Sequence, residues 1–282
     1  MKSVYTVPLS VATQFQDEYC KNMSLITRNS NKIFIFACDQ KIEHLHADFV
    51  GENIAPEVAD PRHLFDIARA GTIGAMAVPF GLLTRYAHEY KNINYIAKLS
   101  GKTNLVPGEQ KDPYSGKLWT VQDVVRVKKE HTVSICGVGC TVYIGSEYEA
   151  QMLQFASQMI QEAHQHGLVS VVWMYPRGKA VSDASGPLLL AGAAGLANAL
   201  GADIVKIQAP KNITDLSMIV KAAGNTKVIC AGGAKMETEQ FLQVITQQMQ
   251  VSGIGGVAVG RNIFQLQREQ AIELTKEVCE LI

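Results

Sequence analysis

Eight short apolar runs, each followed by a segment of helical periodicity, leave this chain few ways to fold. The runs read as strands at Ile33–Asp39, Ile73–Pro79, Ile93–Leu99, Thr132–Cys136, Leu168–Tyr175, Asp203–Gln208, Lys227–Ala231 and Gly255–Val259. The segments between them read as helices at Pro61–Ala70, Gly81–Tyr90, Val121–Glu130, Ser146–His166, Gly186–Leu200, Ile213–Ala223 and Met236–Met249, with a last one from Asn262 to the C-terminus. Asp60-Pro61 supplies a helix start, and Gly201 and Gly224 supply helix ends. Eight strand–helix units predict an α/β fold, a single (β/α)8 TIM barrel. A doubly wound open sheet is the competing architecture. Residues 1–30 precede the first strand and read as an N-terminal helical extension lying across one barrel mouth, with the barrel over residues 31–282. Residues 100–119 read as a long loop with a small excursion.

Composition narrows the class. The 282 residues are 47% hydrophobic and 18% charged, too apolar for a disordered chain and too charged for a membrane bundle. Lys and Arg (26) balance Asp and Glu (26), which argues against a nucleic-acid partner. No stretch approaches the roughly 20 apolar residues of a membrane span, so no membrane partner is expected. The start Met1-Lys2-Ser3-Val4-Tyr5 leads into no uninterrupted apolar core, so no secretory signal is read and a cytoplasmic location is expected. The six cysteines are scattered, and Cys136 and Cys140, four apart, lack the second pair of a zinc site. They read as small buried hydrophobes in a reducing compartment.

The segment Ala202-Asp203-Ile204-Val205-Lys206-Ile207-Gln208 carries the most chemistry. Strand side chains alternate, so Val205 and Ile207 suit the helix side and Lys206 points into the barrel near its C-terminal end, where barrel active sites lie. A lysine held there as a neutral amine can attack a carbonyl and form a Schiff base. The plain alternative is a lysine that snorkels out or pairs with a carboxylate. On the preceding strand, Trp173 and Tyr175 share a face, and Tyr175 projects at the barrel top. A phenol there can shuttle protons; otherwise it is a core tyrosine. Asp39 ends the first strand on the face of Ile33, Ile35 and Ala37. It can orient hydroxyls or stabilise an iminium, or else cap a helix or join a salt bridge.

Glu43, His44 and His46 follow Asp39 and permit a metal-dependent reading, which leaves the inward Lys206 unexplained. No metal or other cofactor is therefore expected. His164 and His166 fall on different helix faces and are expected to interact with the helix C-terminus. Two strands run directly into glycines and then a helix, at Gly232-Gly233 and at Gly260-Arg261. Glycine allows close approach of a phosphate, and Arg261 adds a guanidinium fork. The pair falls on the seventh and eighth strands, the usual barrel phosphate site. Arg177 and Lys179 could hold a second phosphate or simply be solvated. Gly101-Lys102-Thr103 is a weaker contact candidate without the spacing of a nucleotide loop.

As an ordered set, these residues resemble the archaeal-type class I fructose-1,6-bisphosphate aldolases of the deoxyribose-phosphate aldolase-like barrel family. The likeness covers Ile33 to the C-terminus. It is carried by Asp39 with Ile42-Glu43-His44, Ser100-Gly101-Lys102-Thr103, Trp173-Met174-Tyr175-Pro176-Arg177-Gly178, Ala202-Asp203-Ile204-Val205-Lys206, Ala231-Gly232-Gly233 and Val259-Gly260-Arg261-Asn262. The resemblance implies Lys206 as the Schiff-base lysine, Tyr175 as acid and base, and Asp39 assisting at the iminium. It implies that Trp173 lines the pocket, that Gly232, Gly233, Gly260 and Arg261 bind a sugar phosphate, and that the protein is a homo-oligomer. Four positions depart from the pattern: Gln40 and Lys41 after Asp39, Ala231 in place of a serine, and Gln208 in place of a second lysine. Val142–Glu149 also resembles segments of thiolase and heptulosonate-synthase branches.

The expected reaction is reversible aldol cleavage of fructose 1,6-bisphosphate to dihydroxyacetone phosphate and glyceraldehyde 3-phosphate. Its rivals are Schiff-base chemistry on another phosphorylated ketose or diketone, a metal-dependent lyase, and a catalytically silent phosphosugar-binding barrel.

Overall fold

In the computed structural model, which describes residues 5–43, 48–105 and 112–282, eight parallel strands close on themselves. In chain order the strands are β1 (Ile33–Ala37), β2 (Ala75–Pro79) and β3 (Tyr95–Lys98), then an antiparallel excursion of β4 (Ser100–Gly101) and β5 (Gly116–Lys117). There follow β6 (Ile135–Ile144), β7 (Val169–Pro176), β8 (Ile204–Ile207), β9 (Lys227–Ala231) and β10 (Gly256–Val259). The barrel strands pair in sequence order and β10 returns to β1, with Ile33 opposite Gly256. The expected TIM barrel is therefore the fold, and the open sheet is not.

Alternation along each strand builds two apolar layers. Ile33, Ile35, Ala75, Ile96, Val171, Ile204 and Ile229 fill the interior. Phe34, Phe36, Met76, Val172, Val205 and Ile207 face outward to the helices. The helices are α1 (Gln16–Ile26), α2 (Gln40–Glu43), α3 (Arg62–Ala70), α4 (Phe80–Tyr86), α5 (Val121–Glu130), α6 (Glu149–Gln165), α7 (Pro187–Ala199), α8 (Leu216–Ala222), α9 (Thr238–Met249), α10 (Arg261–Phe264) and α11 (Arg268–Glu280). None of the described helices is long and apolar enough to cross a membrane. Cys38, Cys136, Cys140 and Cys230 are buried, Cys20 and Cys279 are half-buried, and all six are free thiols.

One strand differs from its expected extent. The sequence predicts the fourth barrel strand over Thr132–Cys136, whereas β6 runs on to Ile144. Gly137 and Gly139 interrupt the β pattern there, and one of them is present for a tertiary reason. A Cβ at Gly139 would sit 2.1 Å from the Trp173 ring, so glycine is what lets the indole lie across β6. The extension carries Thr141 and Tyr143 to the C-terminal mouth of the barrel.

The opposite mouth is closed by α1, whose Tyr19, Met23 and Ile26 join the interior cluster together with Val11. Asp203, just before β8, anchors it. Its carboxylate accepts from Tyr19 Oη (2.6 Å), from His164 Nε2 (2.9 Å) and from both the backbone N–H and hydroxyl of Ser170 (2.7 Å each). His164 sits in the last turn of α6, as its position suggested, and is also buried in this network, with Ser10 Oγ 2.7 Å from its Nδ1. Asp203→Ala strands these buried donors and is expected to destabilise the protein by about 3 kcal/mol. Thermal unfolding reads the effect, and an unchanged midpoint would mean that apolar packing alone holds α1.

Candidate active site

The site begins with register. Trp173 on β7 lies directly opposite Lys206 on β8, and both point into the barrel. Lys206 is the last inward residue of β8, 6% exposed, at the floor of a cavity of about 560 Å³. That volume falls in the range of small-molecule sites. Burial lowers the Lys206 ammonium to about 8, with the charges of Lys98 and Arg261 acting in the same direction and those of Asp39 and Glu43 against it. At pH 7.5 roughly a quarter of such an amine is neutral, against about one part in a thousand for an exposed lysine.

Tyr175 stands two residues beyond Trp173 on the same face of β7 and lines the same cavity. Burial, reinforced by the Asp39 and Glu43 carboxylates, raises its phenol well above the ordinary range, so it stays protonated at neutral pH. Across the pair, Tyr143 of β6 is its register partner. Its hydroxyl is already committed, donating to Glu43 Oε2 at 2.8 Å.

Asp39 reaches the cavity from the end of β1. Of its alternative readings the salt bridge is realised, with Lys98 Nζ 2.9 Å from Asp39 Oδ2. Lys98 Nζ also lies 2.6 Å from Glu43 Oε1 on α2. Glu43 further accepts from Thr141 Oγ1 (3.2 Å) and Ser115 Oγ (3.5 Å). The place between the two carboxylates is thus held by an ammonium. His44 and His46 lie outside the described residues. Among the described residues no group of three or more His, Cys, Asp or Glu is arranged to hold a metal ion.

Gly232, Gly233, Gly260 and Arg261 line one side of the cavity. Arg261 Nη2 donates to Gly233 O at 3.0 Å, and Asn262 Nδ2 donates to Gly232 O and Ala234 O, so the loop after β9 is pinned by residues after β10. The Gly232 N–H is engaged by Ala258 O at 3.0 Å, so Gly232 contributes space at the wall rather than a donor. At Gly260 a side chain would collide with Ala37 O, 2.6 Å away, and with the Gln40 amide. Gln40, one of the departures from the family pattern, therefore packs against the turn at Gly260. Arg177 and Lys179 enter the cavity wall after β7, and the Arg177 guanidinium lies 5.9 Å from the Tyr143 ring centre. Lys102 approaches the same ring at 5.7 Å. Gln208 lines the cavity too, and its amide donates to Ala184 O at 2.5 Å.

A closed parallel barrel with an inward lysine at the end of its sixth barrel strand has counterparts among known proteins. Residues 33–266 match the family description DeoC/LacD family aldolase. The chain belongs to the DeoC/LacD aldolase family. A Methanocaldococcus jannaschii relative, named fructose-bisphosphate aldolase/6-deoxy-5-ketofructose 1-phosphate synthase, is 47% identical over 275 residues, 96% of this chain and 88% of its own. The solved fructose-bisphosphate aldolase of Slackia heliotrinireducens superposes with a TM-score of 0.94 at 43% identity, covering 98% of this chain and 89% of that one. A solved archaeal fructose-1,6-bisphosphate aldolase, with its catalytic Lys covalently bound to the carbinolamine intermediate of the substrate, gives a TM-score of 0.81 at 31% identity over 93% of this chain and 98% of its own.

Sequence reasoning brought together Lys206, Tyr175, Trp173, Asp39, Arg177 and the glycine loops, and all line this one cavity. It missed Lys98, Thr141 and Tyr143, and it grouped Glu43 with the histidines. Lys98 was accessible to the same rule that found Lys206, because Ile96 and Lys98 alternate onto the inner face of β3 as Ile204 and Lys206 do on β8.

Proposed function

We propose that this aldolase reversibly cleaves fructose 1,6-bisphosphate to dihydroxyacetone phosphate and glyceraldehyde 3-phosphate through a Schiff base on Lys206. The observation that supports this most is an amine buried at the end of a barrel strand, lowered to about 8, in a cavity with arginines on two sides. The lysine adduct reported for the archaeal relative points the same way.

In this reading the neutral Lys206 amine attacks the C2 ketone and forms a carbinolamine. The Tyr175 phenol gives its proton to the departing hydroxyl, which leaves as water, and an iminium remains beside a phenolate. A phenol with so high a pKa ionises only next to such a cation, so the base appears where and when it is required. The phenolate takes the proton of the C4 hydroxyl, the C3–C4 bond breaks into the iminium, and the aldehyde departs. Protonation of the enamine at C3 and hydrolysis return dihydroxyacetone phosphate and the free amine. Asp39 supports the cation, and Trp173 forms the apolar wall against which it lies. Arg261 with the Gly233 and Gly260 loops receives one phosphate, and Arg177 the other.

A second reading keeps the lysine chemistry but changes the sugar, because the M. jannaschii relative carries a second name with a single phosphate in it. The test is the purified protein against fructose 1,6-bisphosphate and fructose 1-phosphate, with borohydride trapping by dihydroxyacetone phosphate in parallel. The bisphosphate is expected to win by at least about tenfold in kcat/KM, the worth of one charge-assisted phosphate contact. Equal rates would favour the second reading, and trapping without cleavage of either sugar would sink the first.

A further inference from the structure

Lys98 is fully enclosed, and its three ammonium hydrogens have three destinations. Two are the carboxylates, Asp39 Oδ2 at 2.9 Å and Glu43 Oε1 at 2.6 Å. The third is the face of Trp173, whose ring centre is 4.6 Å from Nζ. The same indole lies 5.8 Å from Lys206 Nζ, so both lysines share one aromatic wall. Burial opposes the charge on Lys98, but Glu43 and Asp39 outweigh it and hold the ammonium protonated. A cation with no solvent access and no lone pair is not a nucleophile.

Its effect on Lys206 follows from where Asp39 is held. A carboxylate near an amine favours the ammonium form, and a cation near it favours the neutral form. The groups facing Lys206 are Asp39 from the end of β1, Glu43 from α2, Lys98 from β3, Arg261 after β10 and the Tyr175 phenol on β7, while the adjacent Cys38 thiol packs outward toward the helices. From β9 the inward Ile229 brings no charge.

We propose that Lys98 is a positioning residue for the imine chemistry: by tying Asp39 and Glu43 to a permanent buried cation, it stops Asp39 from clamping the Lys206 nitrogen in an ion pair. The inference rests on the reading of Lys206 as the nucleophile. It assigns to Asp39 a fixed distance from the iminium, close enough to stabilise it after it forms and restrained from quenching the amine beforehand.

The test is borohydride trapping with dihydroxyacetone phosphate from about pH 6 to pH 10, read by intact mass, on wild type, Lys98→Met and Lys98→Arg. In Lys98→Met the midpoint of trapping is expected to rise by about one pH unit, so that adduct near pH 7 falls about tenfold and recovers at high pH. Lys98→Arg, which keeps the charge, is expected to hold the wild-type midpoint. An unchanged midpoint in Lys98→Met overturns the proposal. That variant leaves two buried carboxylates without their partner; if it does not fold, the double variant Lys98→Met/Glu43→Gln leaves Asp39 as the one carboxylate acting on Lys206 among the described residues. The same upward shift is expected of it, and an unchanged midpoint there overturns the proposal equally. Wild-type protein that traps no adduct, or traps it on another lysine, would instead remove Lys206 as the nucleophile, an outcome separate from any shift in the variants.

Discussion

Replacing Lys206 with methionine is expected to abolish borohydride trapping and to lower the rate of fructose 1,6-bisphosphate cleavage by at least about 10⁴-fold. Methionine keeps the length of the side chain and suits the interior around Ile204 and Ile229, so the barrel should fold and only the amine is lost. The same amine is expected to set the pH dependence of the wild-type protein. With Lys206 lowered to about 8, the reactive neutral form is the minority at neutral pH, roughly a tenth at pH 7, and the rate should climb as pH rises through 8. The sign follows from the group: a cationic acid loses its proton as pH rises, and the deprotonated form is the nucleophile. A coupled assay for triose phosphate across pH measures both. Retention of roughly a hundredth or more of the activity by Lys206→Met, or a rate that falls as pH rises through this range, would remove the mechanism.

Tyr175→Phe is expected to lower cleavage by about 10²–10³-fold, with a smaller loss in the trapping of dihydroxyacetone phosphate. The asymmetry arises because trapping requires only imine formation, for which water can replace the phenol in part. Cleavage also requires a base at the C4 hydroxyl. The neighbouring phenol provides the control. Tyr143 is the cross-strand partner of Tyr175, but its hydroxyl already donates to Glu43. Tyr143→Phe should therefore lower cleavage by less than about tenfold. Should Tyr143→Phe prove the more damaging of the two, the proton would pass through Glu43 and Tyr143 instead. Steady-state cleavage rates of the two variants decide the matter.

Different parts of the site were legible in the chain to different degrees. Lys206 was legible because a strand of period two leaves it no other direction once Val205 and Ile207 take the helix side. Lys98 obeys the same period on β3. It drew no notice because a lysine in an apolar strand is tolerable only with partners, and these come from Asp39 and Glu43, 59 and 55 residues away in the chain. Thr141 and Tyr143 were hidden for another reason. Gly137 and Gly139 read as the end of a strand, whereas Gly139 is a clearance for the Trp173 ring. Local propensity reports what a backbone prefers, and it carries no trace of a side chain arriving from the next strand. His164 shows the same limit at the other mouth. Its position at a helix end is as read, but the Asp203 and Ser10 partners that reach it through space were not visible in the chain.

By itself the sequence determined the count and order of the eight barrel strands and their alternation with helices, the inward turn of Lys206, Trp173 and Tyr175, and the placement of glycines after the last two strands. Each of these depends on side-chain periodicity and on residues adjacent in the chain. Only the tertiary structure decided that the two carboxylates at the barrel mouth are bridged by the buried Lys98, that α1 closes the opposite end, and that β6 runs the full depth of the barrel. Those outcomes depend on charges and volumes that meet only after the sheet has closed, when burial makes an unpaired ion costly and a missing side chain a place for a ring.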